Sequence, residues 1–253
     1  LRSTIVLSAS ILMVSCGISA RRVPHLATGG RATPGASIGS RVRIVVWNVH
    51  KRTDSVFLAE LGSLLDSSRA DIAMLQELAV PSDSLAFDRA LRGRSWSLSS
   101  NLRRSDPPQE IGVATASRLP AVAAKAILSA SGEPVALTRK AALATRYALG
   151  DEALTVVNIH ALNFSPSLDG FRRQLLDVAS HLRGGTGPAI VAGDFNTWRA
   201  AKLALADSIL ASAGLVRRDF GADESVKKRA FGNALDHVYY TASRLAPASS
   251  SPR

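Results

Sequence analysis

Acidic, amide and histidine side chains stand at the ends of apolar, β-branched segments in this sequence. The segment "VAGDFNTW" (191–198) places Asp194 and Asn196 two residues apart, at the end of an apparent buried strand. Residues two apart on extended backbone point the same way, so both side chains can address one small target. For these eight residues alone, a polar turn that caps the next helix is the alternative interpretation.

Four other segments repeat this pattern. Their polar residues are Asn48 in "VVWNVHK", Glu77 in "MLQEL", His160 and Asn163 in "VVNIHALNF", and Asp236 with His237 in "ALDHVYY". Each alone has an ordinary explanation, such as a turn cap, a solvent-facing carboxylate or a hydrogen-bonded core histidine. Neighbouring strands of one sheet would gather such residues along one edge, where ligands usually bind. Taken together, the five segments predict one functional site.

The residue types also indicate a chemistry. Carboxylate and amide oxygens suit Mg²⁺ or Mn²⁺, so Glu77 with Asn48 nearby can hold such an ion. Asp194 and Asn196 can orient a water molecule or a phosphate oxygen, and His160 can donate a hydrogen bond to charge on a phosphorus-bound oxygen. A zinc hydrolase would need more histidines at helical spacing than the 5 in the chain offer. Metal-assisted phosphoester hydrolysis uses all of these residues.

Composition limits the class of protein and its partners. The chain has 253 residues, of which 46% are hydrophobic and 20% charged, as in a globular protein of one large or two small domains. Its net charge is 31 − 20 = +11, which favours polyanionic partners such as nucleic acid, phosphorylated small molecules or an anionic membrane surface. An arginine-rich solvated surface is the alternative. Cys16 is the only cysteine, which excludes an intrachain disulfide and a thiolate metal cluster.

The order of apolar segments predicts the architecture. Strands are predicted at 42–49, 71–77, 111–117, 135–148, 153–160, 188–194 and 234–240, and helices at 55–68, 84–92, 167–183 and 199–213. Strands and helices mix without strict alternation. This pattern favours mixed sheets covered by helices over a parallel, doubly wound sheet.

The amino terminus is predicted to be separate from the folded domain. The apolar run "TIVLSASILMVSCG" has the length of a signal-peptide core, and its end resembles the lipobox of bacterial lipoproteins, in which the cysteine is lipidated. Residues 1–16 are therefore interpreted as a signal peptide with Cys16 as the lipidation site; a plain signal peptide or an uncleaved anchor is the alternative. Residues 17–40 are rich in Gly, Ala, Ser, Pro and Arg and are predicted to be a flexible linker. The domain then covers residues 41–253.

The motifs "WNVHK", "LQE", "GVATASRLP", "VNIHALNF", "AGDFNTW" and "LDHVYY", in this order, resemble the endonuclease/exonuclease/phosphatase superfamily, the deoxyribonuclease I-like fold. The resemblance covers about residues 41–241. It implies a four-layer α/β/β/α sandwich of two mixed sheets, and a divalent-metal phosphodiesterase or phosphomonoesterase. By motif, it implies that Asn48 and Glu77 bind the metal, that His160 binds phosphate or acts as an acid, and that Asp194 with Asn196 positions the water and the phosphate. Asn163 matches one bacterial branch and is predicted to contact substrate.

The chain departs from the superfamily near its end. Members normally finish with a Ser-Asp-His-type motif on a last strand, whose histidine is catalytic and pairs with an earlier Asp. Here Asp236 and His237 lie in a segment that resembles the penultimate strand, so Asp236 is predicted to be the orienting partner. His237 as the terminal catalytic histidine is the alternative. After Tyr240 the sequence "TASRLAPASSSPR" offers no further apolar strand, which predicts a domain that is incomplete at its carboxyl end.

These observations together predict a phosphodiesterase, with a nuclease as the first choice. A phosphatase or phospholipase acting on lipid headgroups or inositol phosphates is the alternative, as is an impaired relic that binds phosphate esters. Nucleases of this fold read DNA with arginine and tyrosine loops, for which Arg103, Arg104 and Arg118 are generic candidates; Arg118 is taken as substrate-binding. The predicted partners are a phosphate-ester substrate, including nucleic acid, and the membrane that an N-terminal anchor would contact. The protein is predicted to be a monomer in the periplasm or cell envelope.

Overall fold

The computed structural model describes residues 17–37, 41–133, 138–163, 167–183, 185, 187–221, 224, 227 and 229–244. The predicted signal peptide and Cys16 lie outside these residues, as does the chain from residue 245 onward. Across the described ranges, no helix is long and apolar enough to cross a membrane.

Helices and strands alternate irregularly along the chain. The helices are α1 (Ser55–Ser67), α2 (Leu85–Leu91), α3 (Asp169–Ser180) and α4 (Ala200–Ser212). The strands are β1 (Ile18–Gly30), β2 (Ile44–Asn48), β3 (Ile72–Pro81), β4 (Ser95–Ser105), β5 (Pro108–Ser117), β6 (Ala123–Gly132), β7 (Arg139–Leu149), β8 (Glu152–His160), β9 (Ala189–Asp194), β10 (Val216–Arg217), β11 (Arg229–Ala230), β12 (Asn233–Ala234) and β13 (Asp236–Tyr240).

Two mixed sheets form the centre of the molecule. A 5-stranded sheet has the order β1-β4-β5-β3-β2, and a 6-stranded sheet has the order β10-β13-β9-β8-β7-β6. In each sheet one pair is parallel, β2 with β3 and β8 with β9, and the other pairs are antiparallel. The predicted four-layer sandwich is confirmed, because helices cover the outer face of each sheet.

The alternation of side chains along the strands builds these layers. On β8, Val157 and Ile159 pack outward against α3 and α4, while Val156 packs inward against the other sheet. On β3, Leu75 packs outward with α1 and Met74 packs inward. Both faces of these central strands are apolar because both are covered, which explains their nearly continuous hydrophobic sequence.

The prediction of a flexible linker over residues 17–40 is wrong for most of its length. Residues 18–30 form β1, which pairs antiparallel with β4 from Ile18–Arg104 to Gly30–Ser95. The strand lies at a sheet edge, so most of its side chains are exposed, and a register shift between Ala20 and His25 interrupts its period. A polar edge strand of this kind carries no alternating hydrophobic signal from which it could be predicted.

β4 was not predicted from the sequence, because four of its seven buried side chains are polar: Ser97, Ser99, Ser100 and Asn101. Ser99 and Ser100 are fully buried, and their hydroxyls donate to the backbone carbonyls of Ile127 and Leu102. Hydrogen bonds of this kind remove the cost of burying the hydroxyl groups. A serine-rich segment can therefore form a central strand although its composition suggests a loop.

A pair of buried amide side chains connects the two sheets, in addition to the contact of Ser99 with Ile127. Gln76 on β3 and Asn158 on β8 are both fully buried, and Gln76 Nε2 donates to Asn158 Oδ1 at 2.7 Å. Asn158 Nδ2 in turn donates to the carbonyl of Ala114 on β5 at 2.8 Å. We call Gln76 and Asn158 the amide clamp. Since these bonds need specific partners, the clamp fixes how the sheets sit against each other.

We expect Asn158→Leu to destabilise the protein, because one N–H of Gln76 Nε2 then loses its acceptor in the core, while the group keeps its other acceptor, the carbonyl of Met74. Leaving a buried polar group unpaired costs roughly 1–3 kcal/mol, so the free energy of unfolding should fall by at least about 2 kcal/mol once the lost bond to Ala114 is added. Urea unfolding followed by circular dichroism measures this change. Thr155→Val, near the start of the same strand and away from the clamp, should have a smaller effect. An equal effect of the two substitutions would contradict the role of the clamp.

Candidate active site

A row of polar side chains crosses the carboxyl end of the second sheet. His160 on β8 is in register with Asp194 on β9, and Asp236 on β13 is opposite Asp194 on its other side. Residues in register on paired strands face the same side of a sheet. All three side chains therefore point to the inner face, toward the first sheet.

The first sheet contributes Glu77 through an irregularity in β3. Strict alternation would send Glu77 outward, because its neighbour Gln76 faces inward. The pairing of β3 with β5 shifts register between Leu75 and Leu78, and Glu77 has a φ of 52°. This bulge turns the carboxylate toward the inner face and the row on the second sheet.

Other residues of the site share this uncommon backbone conformation. His50, Lys51 and Asn196 have φ values of 51°, 61° and 50°. Residues other than glycine in this region store conformational strain of roughly 1–3 kcal/mol each, and such residues cluster at functional sites. Their grouping here is independent support for a functional site at this edge.

Asn48 joins the carboxylates of the two sheets. Its Nδ2 donates to Glu77 Oε1 at 3.2 Å and to Asp194 Oδ2 at 2.9 Å, and its Oδ1 accepts from the backbone N–H of His50 at 3.1 Å. Asn48 and Asp194 are buried, while Glu77 retains some solvent access. The structure thus brings three of the residues predicted from sequence into direct contact.

The loop after β9 holds Asp194 in one orientation. The backbone N–H of Asn196 donates to Asp194 Oδ1 at 2.9 Å, so both carboxylate oxygens accept a fixed hydrogen bond. The side chain of Asn196 donates to the carbonyl of Ala161, so the expectation that Asp194 and Asn196 extend in parallel is wrong. The reason is that the strand ends at Asp194. Gly193 is required before it, since a Cβ there would lie 2.0 Å from the carbonyl oxygen of Ile159.

Positive charge surrounds Glu77. Lys51 Nζ lies 2.6 Å from Glu77 Oε2, and His160 Nε2 lies 3.8 Å from Oε1. Burial alone would raise the pKa of Glu77, but the charges of His160, Lys51 and Lys140 outweigh it and lower the pKa to about 2. The carboxylate is therefore ionised at neutral pH.

Two lysines of the site were missed from the sequence. Besides Lys51, Lys140 on β7 places its Nζ 3.3 Å from His160 Nε2 and 3.5 Å from Glu133 Oε1. These residues line a cleft of about 230 Å³. The lining of the cleft also includes the apolar side chains of Ile18, Leu102 and Ile111. Lysines are common on surfaces, so only the strand pairing could have placed Lys140 next to His160.

A third lysine, Lys202 on α4, binds the backbone of the two loops that follow β8 and β9. It is almost fully buried, and its Nζ donates to the carbonyls of Leu162, Asn163 and Asn196 at 2.6, 3.3 and 2.9 Å. Burial lowers the pKa of Lys202 to about 8. Asn163 thus contributes its backbone to the support of the loop, and its N–H donates to Glu133 Oε1 at 2.9 Å. A lysine within the apolar segment "AAKLALADSIL" is the sequence signal that could have identified Lys202.

Two predicted site residues lie elsewhere. His237 follows Asp236 on β13 and so faces outward, where its ring packs edge-on against Phe195 and its Nε2 lies 2.7 Å from Thr197 Oγ1. The ring of His237 therefore does not join the row of polar side chains on the inner face, and its role as the terminal catalytic histidine is not supported by its position. Arg118 follows β5 at the end that pairs with the start of β3, whereas the site lies beyond the middle of β3. Arg118 therefore lies away from the row of site residues, and its role in substrate binding stays a prediction.

The donor set suits a hard divalent cation. Glu77 offers a partly accessible ionised carboxylate, and Asn48 and Asp194 bring an amide and a second carboxylate next to it. The described residues contain no cluster of three or more His, Cys, Asp or Glu able to hold a metal ion. Mg²⁺ prefers to be bound by few protein ligands, with water and substrate oxygens as its other ligands.

Known proteins resemble this chain in sequence and in fold. The sequence profile described as "Endonuclease/Exonuclease/phosphatase family" matches residues 45–253. A protein of Vibrio cholerae serotype O1, named only UPF0294 protein, is 31% identical over 214 residues, which are 83% of this chain and 73% of that protein. D. rerio TDP2 in complex with single-strand DNA product superposes with a TM-score of 0.57 at 16% identity, over 79% of this chain and 83% of that chain. Sphingomyelinase C from Streptomyces griseocarneus gives a TM-score of 0.56 at 16% identity, over 82% and 86% of the two chains.

The buried position of His237 has a consequence for pH dependence. Burial, with the charges of Lys227 and Arg217 adding to it, lowers the pKa of His237 from 6.5 to about 4. Between these two values the unfolded chain binds more protons than the folded one, so the folded state loses stability as the pH falls. We expect His237→Gln to remove this loss. In urea unfolding, the free energy of unfolding of the wild type minus that of the variant should be lower at pH 5 than at pH 7.

This comparison also separates structure from catalysis. His237→Gln should keep its turnover within an order of magnitude of the wild type, because the ring faces away from the cleft. A difference in stability that is the same at both pH values would contradict a buried neutral His237. A loss of turnover without a loss of folding would contradict its placement outside the site.

Proposed function

The chain belongs to the endonuclease/exonuclease/phosphatase family, and on that basis we propose that it hydrolyses phosphodiesters with the help of a divalent metal ion. The observation that carries the proposal is the continuous contact from Glu77 through Asn48 to Asp194, with His160 beside Glu77. This contact joins a cation-binding carboxylate to a fixed second carboxylate. An arrangement of this kind is suited to activate water next to a phosphate.

Glu77 and Asn48 are the residues that would hold the metal ion, with Mg²⁺ or Mn²⁺ as the proposed ion. Enzymes of this family generally use divalent metals. Once bound, the ion would neutralise charge on the phosphoryl oxygens. The ion would have to displace the ammonium group of Lys51, whose Nζ lies 2.6 Å from Glu77 Oε2.

Asp194 is proposed to act as the general base. Its oxygens are held by Asn48 Nδ2 and by the backbone N–H of Asn196, so it can take the proton of an attacking water without reorienting. Asp236, opposite Asp194 in the strand register, would be its neighbour in this role. The side chains of His160 and Lys140, 3.3 Å apart, would donate hydrogen bonds to the phosphoryl oxygens as negative charge develops there.

Nucleic acid is the proposed substrate class. The net charge of +11 and the two lysines in the cleft favour a polyanion. The structural neighbour in complex with single-strand DNA product supports the same choice. A lipid phosphodiester is the second candidate, because the apolar side chains of Ile18, Leu102 and Ile111 also line the cleft and a second neighbour is a sphingomyelinase C.

The proposal includes an extracytoplasmic location. The motif that ends at Cys16 supports export and lipidation at that residue, and the protein is proposed to act as a monomer in the cell envelope. This part of the proposal rests on the sequence motif alone.

Glu77→Gln should abolish metal-dependent turnover, because an amide replaces the single accessible carboxylate of the proposed metal site. We expect the rate to fall by at least about 10²-fold and Mg²⁺ affinity to fall with it, while circular dichroism stays unchanged. Plasmid DNA, sphingomyelin and a generic phosphodiester serve as substrates, with Mg²⁺ and then with a chelator. Glu60→Gln on the exposed face of α1 is the matched control. Turnover by Glu77→Gln at the wild-type rate would contradict the metal site.

Asp194→Asn should lower kcat more than it raises KM, since a general base acts mainly in the transition state. Loss of a positioned base typically costs on the order of 10²- to 10⁴-fold in rate. Steady-state kinetics on the best substrate from the panel measures the split. If KM alone changes, Asp194 binds substrate and the mechanism is different. If the wild type binds phosphate esters but turns none over, the protein is a binding protein instead.

A further inference from the structure

An aromatic side chain stands exposed at the tip of the β11–β12 hairpin. Phe231 is 87% exposed, in a tight turn between Ala230 and Asn233. Large aromatic side chains normally bury most of their surface. The position of Phe231 therefore needs a reason other than packing.

The turn itself would favour a different residue. Phe231 has a φ of 49° and Gly232 a φ of 81°, so both central residues of the two-residue turn are left-handed. Such turns strongly prefer Asn or Asp before Gly, and a bulky residue in that position is strained. Phe231 thus makes the turn less stable and also exposes an apolar ring to water. A residue with two unfavourable effects on folding is a candidate for binding.

The hairpin is attached to the candidate active site. The Phe231 ring lies 5.9 Å from the ring of Trp198, and Asn233 Nδ2 donates to the carbonyl of Trp198 at 3.0 Å. Trp198 Nε1 donates to the carbonyl of Asn163 at 3.3 Å, and Trp198 follows Asn196 by two residues. The two rings are therefore fixed to the same loops that hold Asp194. We call Trp198 and Phe231 the aromatic pair.

Positive charge accompanies the aromatic pair. The guanidinium carbon of Arg199 lies 4.6 Å from the centre of the Trp198 ring. Arg229 is part of the hairpin, where its Nη1 donates to the carbonyl of Gly232. An aromatic face among cations, next to a phosphate-hydrolysing site, matches the alternation of bases and phosphates in a nucleic acid strand.

A membrane is less well matched by this surface. A membrane-inserting tip would present several large apolar residues, and this hairpin presents only Phe231. The other large hydrophobic residues exposed in the described part of the chain lie on or beside other elements: Val23, Leu26, Val56, Leu85, Val122, Leu176 and Val216. A single ring can stack on one base, whereas it contributes little to bilayer insertion.

We propose that the aromatic pair binds a nucleobase adjacent to the scissile phosphate of a single-stranded nucleic acid, with the exposed face of Phe231 as the stacking surface. This inference rests on the proposed phosphodiesterase function and names its substrate class. It predicts that recognition depends on the base as a flat ring and tolerates any sequence, because every base has such a face.

The test compares Phe231→Asn with the wild type on two ligands. Asn-Gly suits the turn, so the variant should unfold at the same temperature or higher, and any loss of binding is then not a loss of folding. Affinity for a fluorescent oligothymidylate, measured by anisotropy without metal, should fall about five- to a hundredfold. Affinity for a matched oligonucleotide of abasic residues should not change. Phe231→Trp should restore binding, and Val122→Ala, exposed on another element, should behave as the wild type.

Hydrolysis and vesicle binding complete the experiment. On the dinucleotide TpT, Phe231→Asn should lower kcat/KM by a similar factor. On an analogue that lacks the base that stacks on Phe231, the substitution should leave kcat/KM unchanged. If the wild type hydrolyses none of these, the proposed function fails while the binding result still decides the stacking surface. Equal losses on oligothymidylate and abasic ligand, or no loss on either, would overturn the inference. Weaker binding to phosphatidylglycerol vesicles with unchanged oligothymidylate binding would overturn it too.

Discussion

The amide clamp between Gln76 and Asn158 is the contact on which the geometry of the site depends. Glu77 comes directly after one of these residues, and His160 comes two residues after the other. Apolar side chains alone would allow the two sheets to slide by small amounts, since dispersion contacts have little directionality. A buried amide pair has one satisfactory arrangement, and that arrangement places Glu77 and His160 within 3.8 Å.

The parts that could be predicted from the sequence are those that local pattern determines. Apolar strands ending in polar residues identified Asn48, Glu77, His160 and Asp194, and the structure brings all four to one edge. The sandwich of two mixed sheets followed from the irregular order of strands and helices and from the motif resemblance. The fold is confirmed, and the four residues stay a predicted site; both could be recognised because each strand end is contained in a few consecutive residues and needs no distant contact.

The remaining features depend on contacts between distant residues. Whether Asp236 or His237 faces the site is decided by the register of β13 against β9, which a pattern of adjacent polar residues does not contain. Lys140 reaches His160 only because β7 pairs with β8, and Arg118 is removed from the site by the direction of β5. β1 could not be predicted from the sequence, because an edge strand requires few apolar residues.

The position of β1 changes what a lipid at Cys16 would mean for the enzyme. Only Gly17 separates that cysteine from Ile18, which lines the cleft of the candidate active site. At roughly 3.5 Å per residue, a chain fixed at residue 16 has a reach of only about 7 Å before the folded domain starts. A lipidated protein would not swing freely above the bilayer on a long tether. Its cleft would open close to the lipid surface in a restricted orientation, so that substrates would be sampled from the layer next to the membrane.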